Sequence, residues 1–341
     1  MFGVLKKFFL FSGKENSRKF KRSIAISLID ALASALKIPA IMCVLMGVIE
    51  GKDFGKYILG SIAIMAVSII VGILCKMSST MLQTEGGYTT AAFKRIEMAE
   101  HLRYVPMGYF NSNSIGEIAS VTTNTMENLG DVATRVVMLT TQGLLETSMI
   151  ILMILLCDWR IALVSLAGVA IFLVINTVMQ NAGKQASSAK IDCDTELINQ
   201  IMEYIQGISE VKSYNLIGKQ TKRLNAANEA CVRANVKMEL VYVPYHFLQS
   251  VVTKLTGAVI IGLSAYFYIN GSMSVLYAVG MSIAAFMLYG SLETMGTFSS
   301  LIHVVSVCVD KANAVLGLDT MDIDGKELNP ENHDIEVKNI E

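Results

Sequence analysis

Charged residues are scarce in this sequence. Asp, Glu, Lys and Arg make up 17% of its 341 residues, against about 25% in ordinary soluble proteins, while hydrophobic residues make up 53%. The mean hydropathy is +0.50. The net charge is only -1, and no basic stripe with interleaved aromatic residues occurs, so nothing indicates a nucleic-acid partner. The composition therefore predicts a membrane protein.

Patterns typical of metal sites and disulfide frameworks are also missing. None of the six cysteines belongs to a C-x-x-C motif, and most lie in apolar runs, so they are predicted to be small buried residues. The four histidines are scattered and form no H-E-x-x-H motif. No metal site and no catalytic triad is predicted.

A phosphate-binding loop is absent as well. The motif G-x-x-x-x-G-K-[ST] does not occur, and the pairs Gly183-Lys184, Gly218-Lys219 and Gly325-Lys326 lack the rest of it. The chain by itself is therefore predicted not to hydrolyse ATP, to hold no cofactor and not to be an enzyme.

The sequence does contain six apolar runs long enough to cross about 30 Å of hydrocarbon. They cover residues 23–49, 57–75, 132–157, 161–179, 241–268 and 275–301. The polar segments 76–131 and 180–240 between them are too long for unstructured loops, so each is predicted to belong to a helical hairpin outside the membrane.

The N-terminal segment is strongly basic. Residues 6–22 contain seven Lys or Arg residues against one acid, Glu15, which predicts a cytoplasmic N-terminus. With six spans, both termini and both hairpins are then cytoplasmic. Residues 1–12 pair aromatic residues with lysines, which predicts a short interfacial elbow helix whose aromatic side chains point into the membrane.

Residues 109–131, here called the first tip, form a polar island between two apolar runs. Ser114 stands three residues before Glu117 in a capping-box arrangement, which predicts that a short helix begins there. One face of this helix is predicted to be apolar, with Ile115, Ile118 and Thr122. The other face is predicted to be available to a partner, with Glu117, Ser120 and Asn124. The alternative is a solvated connection between helices.

Residues 203–215, here called the second tip, mark the predicted turn of the other hairpin. Their sequence is EYIQGISEVKSYN, and Gly207 provides the conformational freedom to turn. Tyr204 to Asn215 and Ile115 to Asn124 are the two predicted docking surfaces.

The two tips resemble a known family, the transmembrane domain of ATP-binding-cassette (ABC) transporters with the exporter-type (type IV) fold. In the first tip, the residues similar to that family's first intracellular loop are Tyr109-Phe110, Gly116-Glu117-Ile118 and Ser120. In the second tip, the similar residues are Glu203, Gly207-Ile208 and Val211-Lys212. Residues 335–340 resemble the first strand of the nucleotide-binding domain that follows such a membrane domain.

The resemblance implies an all-α membrane protein of six transmembrane helices with long cytoplasmic extensions, forming a domain-swapped dimer. Residues 1–22 would be the cytoplasmic N-terminus, 23–318 the six-helix domain, and 319–341 a linker with the first residues of the nucleotide-binding domain. ATP and Mg would be bound by that domain, outside this sequence. The coupling residues would be Ile115, Gly116, Glu117, Ile118, Ser120 and Asn124 in the first tip and Tyr204, Gly207, Ile208, Val211 and Lys212 in the second.

The implied partners are the lipid bilayer of the plasma membrane, a second transmembrane domain as homo- or heterodimer, the nucleotide-binding domains and a transported solute. Export of an amphipathic, lipid-like, drug-like or peptide solute is expected. Import of a metal-chelate ligand on the same fold is the first alternative. A membrane sensor or scaffold without transport is the alternative from another class.

Five charged residues fall at membrane depth: Asp30, Lys37, Glu146, Lys254 and Glu293. A charge facing lipid costs about 2.5 to 3.5 kcal/mol, so these side chains are predicted to face a cavity or an interface. A cavity with both signs of charge would suit an amphipathic or zwitterionic solute. The alternative is that Lys254 pairs with Glu293 or Glu146 as structural support, while Asp30 and Lys37 extend towards the membrane surface.

Overall fold

The computed structural model describes residues 2–50, 54–110, 112–214 and 217–321, and within these ranges the protein is almost entirely helical and contains no strand. Six helical stretches there are long and apolar enough to cross a membrane, which confirms the predicted spans. They are Gly13–Ile49, Phe54–Leu102, Ile115–Cys157, Trp159–Gln206, Lys222–Ile269 and Val275–Leu316.

The first stretch is preceded by a separate short helix and is itself broken once. Its helices are α1 (Phe2–Phe11), α2 (Gly13–Ala35) and α3 (Lys37–Glu50). The break at Leu36 follows from Pro39, which has no N–H to donate to the carbonyl four residues earlier and whose ring crowds that carbonyl.

The next hairpin contains the first tip. Helix α4 (Phe54–Leu102) is followed by a 3₁₀ turn, Met107–Tyr109, and by α5 (Ser112–Ser120). Two π-helical stretches then flank the short α6, and α7 continues the chain into the third span. Their bounds are Val121–Thr125, Met126–Asn128 for α6, Leu129–Ala133, and Thr134–Cys157 for α7.

The remaining helices form the second hairpin and the last span. They are α8 (Trp159–Gln206), α9 (Ile208–Ser213), α10 (Ile217–Ile269), α11 (Val275–Ser299) and α12 (Ile302–Leu316). Helix α4 has 49 residues, which corresponds to roughly 74 Å at the usual helical rise. The hydrocarbon layer is only about 30 Å thick, so a large part of α4 lies outside it; α8 and α10 are of similar length.

Serine side chains join the first span to α4 in antiparallel register. Ser61 and Ser68 of α4 donate to the carbonyl oxygens of Ala40 and Ala33, at 2.7 and 2.6 Å. Further along α4, the Ser79 hydroxyl lies 2.8 Å from that of Ser23 and 2.7 Å from that of Ser27, both on α2. Interhelical hydrogen bonds of this kind are a main source of helix association in lipid.

The elbow helix is present as α1, but two of its aromatic side chains, Phe8 and Phe11, are buried in the protein. Phe8 is only 1% exposed and packs edge-on against Phe20 of α2, with ring centroids 5.4 Å apart. Phe8 and Phe11 belong to an apolar core that also includes Val305 of α12. The prediction that the aromatic residues point into lipid is therefore wrong for Phe8 and Phe11, because α12, distant in sequence, supplies a protein surface for them.

The first tip is built into that same core. Met126 and Leu129 are almost fully buried and pack with Met98 of α4 and with residues of α12. Close approach between α4 and α7 requires a glycine at position 87, since a Cβ there would lie 1.7 Å from the Thr134 hydroxyl oxygen.

Candidate coupling helices and charged clefts

The first tip presents a short helix at the end of a long hairpin, as predicted. Helix α5 begins at Ser112, two residues before the predicted start, and the side chain of Ser114 lies outside the described residues. Ile115 is 54% exposed and Glu117 is exposed, whereas Gly116, Ile118 and Asn124 are half-buried. The exposed surface of α5 is thus partly apolar.

The predicted assignment of faces on α5 is wrong at two positions. Ile115, predicted to face the protein, is exposed, and Ser120, predicted to be available to a partner, is only 8% exposed. Ser120 lines a polar cavity of 190 Å³ together with Glu117, Asn199 of α8 and Lys311 of α12. Polar residues of distant helices therefore line a cavity against this face of α5.

Helix α8 also passes close to α5. A Cβ added to Gly116 would lie 3.8 Å from the Asn199 side-chain oxygen. Near this point Lys311 approaches Thr195 at 3.4 Å and Asp192 at 3.7 Å, which ties α12 to α8. The first tip, α8 and α12 therefore meet at one end of the bundle.

The second tip is a separate short helix with a largely exposed surface. Helix α8 ends before Gly207 and α9 follows, so the predicted turn is confirmed. Val211 is 2% exposed and anchors α9 on the hairpin. Tyr214 is 75% exposed and Lys212 is exposed, while Tyr204, Gly207 and Ile208 are half-buried. Asn215 lies outside the described residues.

Three of the five charged residues predicted at membrane depth come together in one place. Asp30, Lys37 and Glu146 line a cleft of 450 Å³ between α2, α3, α4, α7 and α11, here called the first charged cleft. Lys76 of α4 completes it. The cleft therefore holds two acids and two bases.

The two acids of the first charged cleft differ in the hydrogen bonds that they accept. Glu146 accepts a hydrogen bond from Gln142 at 2.8 Å and another from the Ser291 hydroxyl. Asp30 is 6% exposed, yet it makes no hydrogen bond or ion pair within the described part of the chain. A Cβ on Gly72 would lie 3.5 Å from its carboxylate oxygen, so the glycine leaves the space beside it open.

The other two charged residues lie elsewhere. Lys254 and Glu293 line a cleft of 320 Å³ between α10 and α11, here called the second charged cleft, with Phe286 and Tyr289 among its apolar walls. The Thr253 hydroxyl donates to Glu293 at 2.5 Å. Within this chain the five residues therefore lie in two clefts, three in the first and two in the second.

The alternative of structural ion pairs is also wrong for Lys254 in this chain. Among the described residues, no carboxylate oxygen lies within 4.0 Å of the Lys254 ammonium nitrogen. Glu293 and Glu146 instead accept hydrogen bonds from hydroxyl groups. Their charges are left without a countercharge in contact.

Lys76 is the residue of the first charged cleft that the sequence interpretation missed. It follows the second apolar run directly and is the first residue of the polar segment 76–131. Helical spacing alone does not place it, but once the structure sets Gly72 beside Asp30, Lys76 follows one helical turn further along the same face.

The whole arrangement agrees with one known family. Residues 24–292 match the family model described as the ABC transporter transmembrane region. The match covers more than half of the chain and includes both tips and four of the five charged residues predicted at membrane depth, ending one residue before Glu293. The protein is therefore a multi-pass membrane protein with the permease domain of an ABC transporter, and its chain belongs to the family of ABC transporter transmembrane regions.

Proposed function

We propose that this permease domain works as the membrane half of an exporter, paired with a second copy or a homologue. Both termini would face the cytoplasm of a cell whose plasma membrane it spans. The observation that carries the proposal is the presence of α5 and α9, two short helices at the ends of hairpins that reach far beyond a membrane span. Such ends suit docking on nucleotide-binding domains that bind ATP and Mg.

The long helices provide the mechanical link in this proposal. Each of α4, α8 and α10 is continuous from its tip region to the span, so a displacement of a docked tip is transmitted along the helix rather than absorbed in a loop. Closure of two nucleotide-binding domains on ATP would move the tips and reshape the clefts between the spans.

The transported solute is proposed to be amphipathic and to carry both signs of charge. The first charged cleft supports this, since Asp30 and Glu146 would bind a cationic group while Lys37 and Lys76 would bind an anionic one. Asp30 is the most informative of these groups, because a buried carboxylate without a partner is costly unless a ligand or cation satisfies it.

The coupling part of the proposal is tested in the complete transporter reconstituted in liposomes. Gly116→Pro distorts the backbone of α5 and is expected to abolish transport while ATP hydrolysis continues at the basal rate. Glu127→Ala, at another exposed position of the first tip, is the matched control and is expected to transport normally. Equal transport by the Gly116→Pro variant and the control would contradict docking through α5.

The solute part is tested separately with a panel of zwitterionic, cationic and anionic amphiphiles that stimulate ATP hydrolysis. Asp30→Asn is expected to weaken stimulation by the zwitterionic and cationic compounds by roughly tenfold, in keeping with the loss of one charge-assisted contact, and to leave stimulation by anionic compounds unchanged. Lys254→Met and Glu293→Gln provide the same comparison for the second charged cleft. A uniform loss across all compounds would contradict a charge-selective site.

A further inference from the structure

A third cleft lies at the N-terminal end of the first span and shares no lining residue with either charged cleft. It has a volume of 560 Å³ and lies between α1, the first half of α2 and α7. Its walls are apolar and include Leu5, Phe9, Ile24, Leu144 and Leu145. It is here called the lysine cleft, because Lys6 and Lys21 also line it.

These two lysines make no ion pair with a described residue, whereas Lys7 and Lys19 of the same segment do. Lys7 forms an ion pair with Asp310 at 2.5 Å, and Lys19 forms one with Glu85 at 2.9 Å. Lys6 and Lys21 are exposed and contact no carboxylate within the described ranges of the chain. Two uncompensated positive charges therefore stand beside an apolar cleft.

Hydroxyl groups add to the polar side of the cleft. Ser17 and Thr141 line it, and neither donates a hydrogen bond to another described residue. Two ammonium groups and two hydroxyls form a donor set suited to a phosphate diester, whose oxygens accept hydrogen bonds and carry negative charge. The apolar walls suit a hydrocarbon chain.

We propose that the lysine cleft binds one anionic phospholipid from the leaflet on the N-terminal side of the protein. The phosphate lies between Lys6 and Lys21, and an acyl chain runs along Leu144 and Leu145. Charge complementarity favours this occupant, because the surrounding segment 6–22 holds seven basic residues against one acid. Basic segments next to a span are attracted to anionic lipid headgroups.

The proposal predicts lipid selectivity rather than lipid binding in general. A zwitterionic headgroup brings a second, positive charge towards Lys6 and Lys21, so phosphatidylcholine is expected to be retained less well than phosphatidylglycerol with the same acyl chains. Each lysine is expected to contribute about fivefold to the preference for the anionic lipid.

The test uses the complete purified transporter in detergent, titrated with either lipid and examined by native mass spectrometry. Lys6→Gln combined with Lys21→Gln is expected to lower the affinity for phosphatidylglycerol by roughly 25-fold and to remove its advantage over phosphatidylcholine. Lys14→Gln combined with Arg22→Gln removes two exposed charges from the same segment outside the cleft and is expected to retain the preference.

A second variant tests the apolar part of the cleft without changing charge. Leu145→Trp fills the path of the acyl chain and is expected to lower the retention of phosphatidylglycerol at an unchanged thermal unfolding midpoint.

Two results of the charge experiment would overturn the proposal. One is an equal loss of affinity in the Lys6, Lys21 double variant and the Lys14, Arg22 double variant, which would show general surface attraction. The other is an unchanged affinity in the Lys6, Lys21 double variant. Crosslinking of Leu145→Cys to a second copy in the absence of lipid would identify that copy as the occupant and also overturn it.

Discussion

The two tips reach the same end of the bundle but are held there by different contacts. The first tip is continuous with an apolar core that includes Met126, Leu129, part of α1 and most of the inward face of α12. The second tip is anchored through Val211 alone among the described residues of α9, and Tyr214 beside it is 75% exposed.

This difference indicates different roles in transmitting motion. Displacement of the first tip must move α1, α4 and α12 with it, because close-packed cores transmit strain. The second tip can move with α8 and α10 only, and its exposed aromatic side chain is free to contact another domain. The first tip therefore behaves as part of the domain body, and the second as a contact surface carried on a hairpin.

The largest effect on stability is expected from truncating a side chain in the apolar core that includes the first tip. Leu129→Ala removes a side chain that is 1% exposed and should lower the free energy of unfolding by about 2 to 5 kcal/mol. Tyr214→Ala in the second tip should change it by no more than about 0.5 kcal/mol. Thermal unfolding of the purified transporter measures both, and similar losses in the two variants would remove the distinction between the tips.

A somewhat smaller effect is expected where the first hairpin is most tightly packed. Gly87→Ala would place a Cβ 1.7 Å from the Thr134 hydroxyl oxygen and 2.9 Å from the Gly130 carbonyl oxygen. Relief of this overlap should cost about 1 to 3 kcal/mol in the same unfolding measurement. Gly60→Ala in the same helix meets nothing within 4 Å and is the matched control. A Gly87→Ala variant as stable as the control would show that α4 and α7 separate easily.

Substitution of Tyr214 in the second tip should weaken docking on a nucleotide-binding domain rather than lower the stability of the fold. Loss of the Tyr214 side chain should weaken contact with a nucleotide-binding domain by roughly tenfold, since exposed aromatic residues are frequent binding hot spots. The contact is measured as the yield of a crosslink between Lys212→Cys and that domain, compared between Tyr214→Ala and the control Tyr214→Phe. Unchanged crosslinking in Tyr214→Ala would exclude this side chain from the docking surface.

The smallest effect concerns the ion pair that joins α1 to α12. The Lys7 and Asp310 side chains are 36% and 62% exposed, so solvent screens their 2.5 Å contact. Asp310→Asn should therefore lower stability by at most about 1 kcal/mol. The difference from the unchanged protein should shrink in 1 M salt. A loss that persists at high salt would point to packing rather than charge.

Much of this architecture follows from the sequence alone. The six spans are apolar runs of the required length, and the tips are polar segments bounded by turn-forming residues, so both signals are local. Gly207, for example, ends α8 where the residue type predicts a turn. The break at Leu36 in the first span likewise has a local cause, because Pro39 follows three residues later.

The contacts between distant segments could not be predicted in this way. Ser120 is buried beside a cavity that α8 and α12 close, and Phe8 is buried because α12 supplies an apolar surface. Asp30 and Glu293 share a charge type and a membrane depth but occupy different clefts. Depth is encoded in hydropathy, whereas position around the bundle depends on helix packing.

The serine contacts between the first span and α4 limit how these helices move. Each bond joins a serine to a carbonyl or hydroxyl at a matching height along the partner, from Ser61 near the start of α4 to Ser79 at its middle. Sliding of one helix along the other would break the bonds of Ser61 and Ser68, which lie in the apolar run where no water replaces them. The pair is therefore stiff against shear, and during a transport cycle it should tilt or rotate as a single lever.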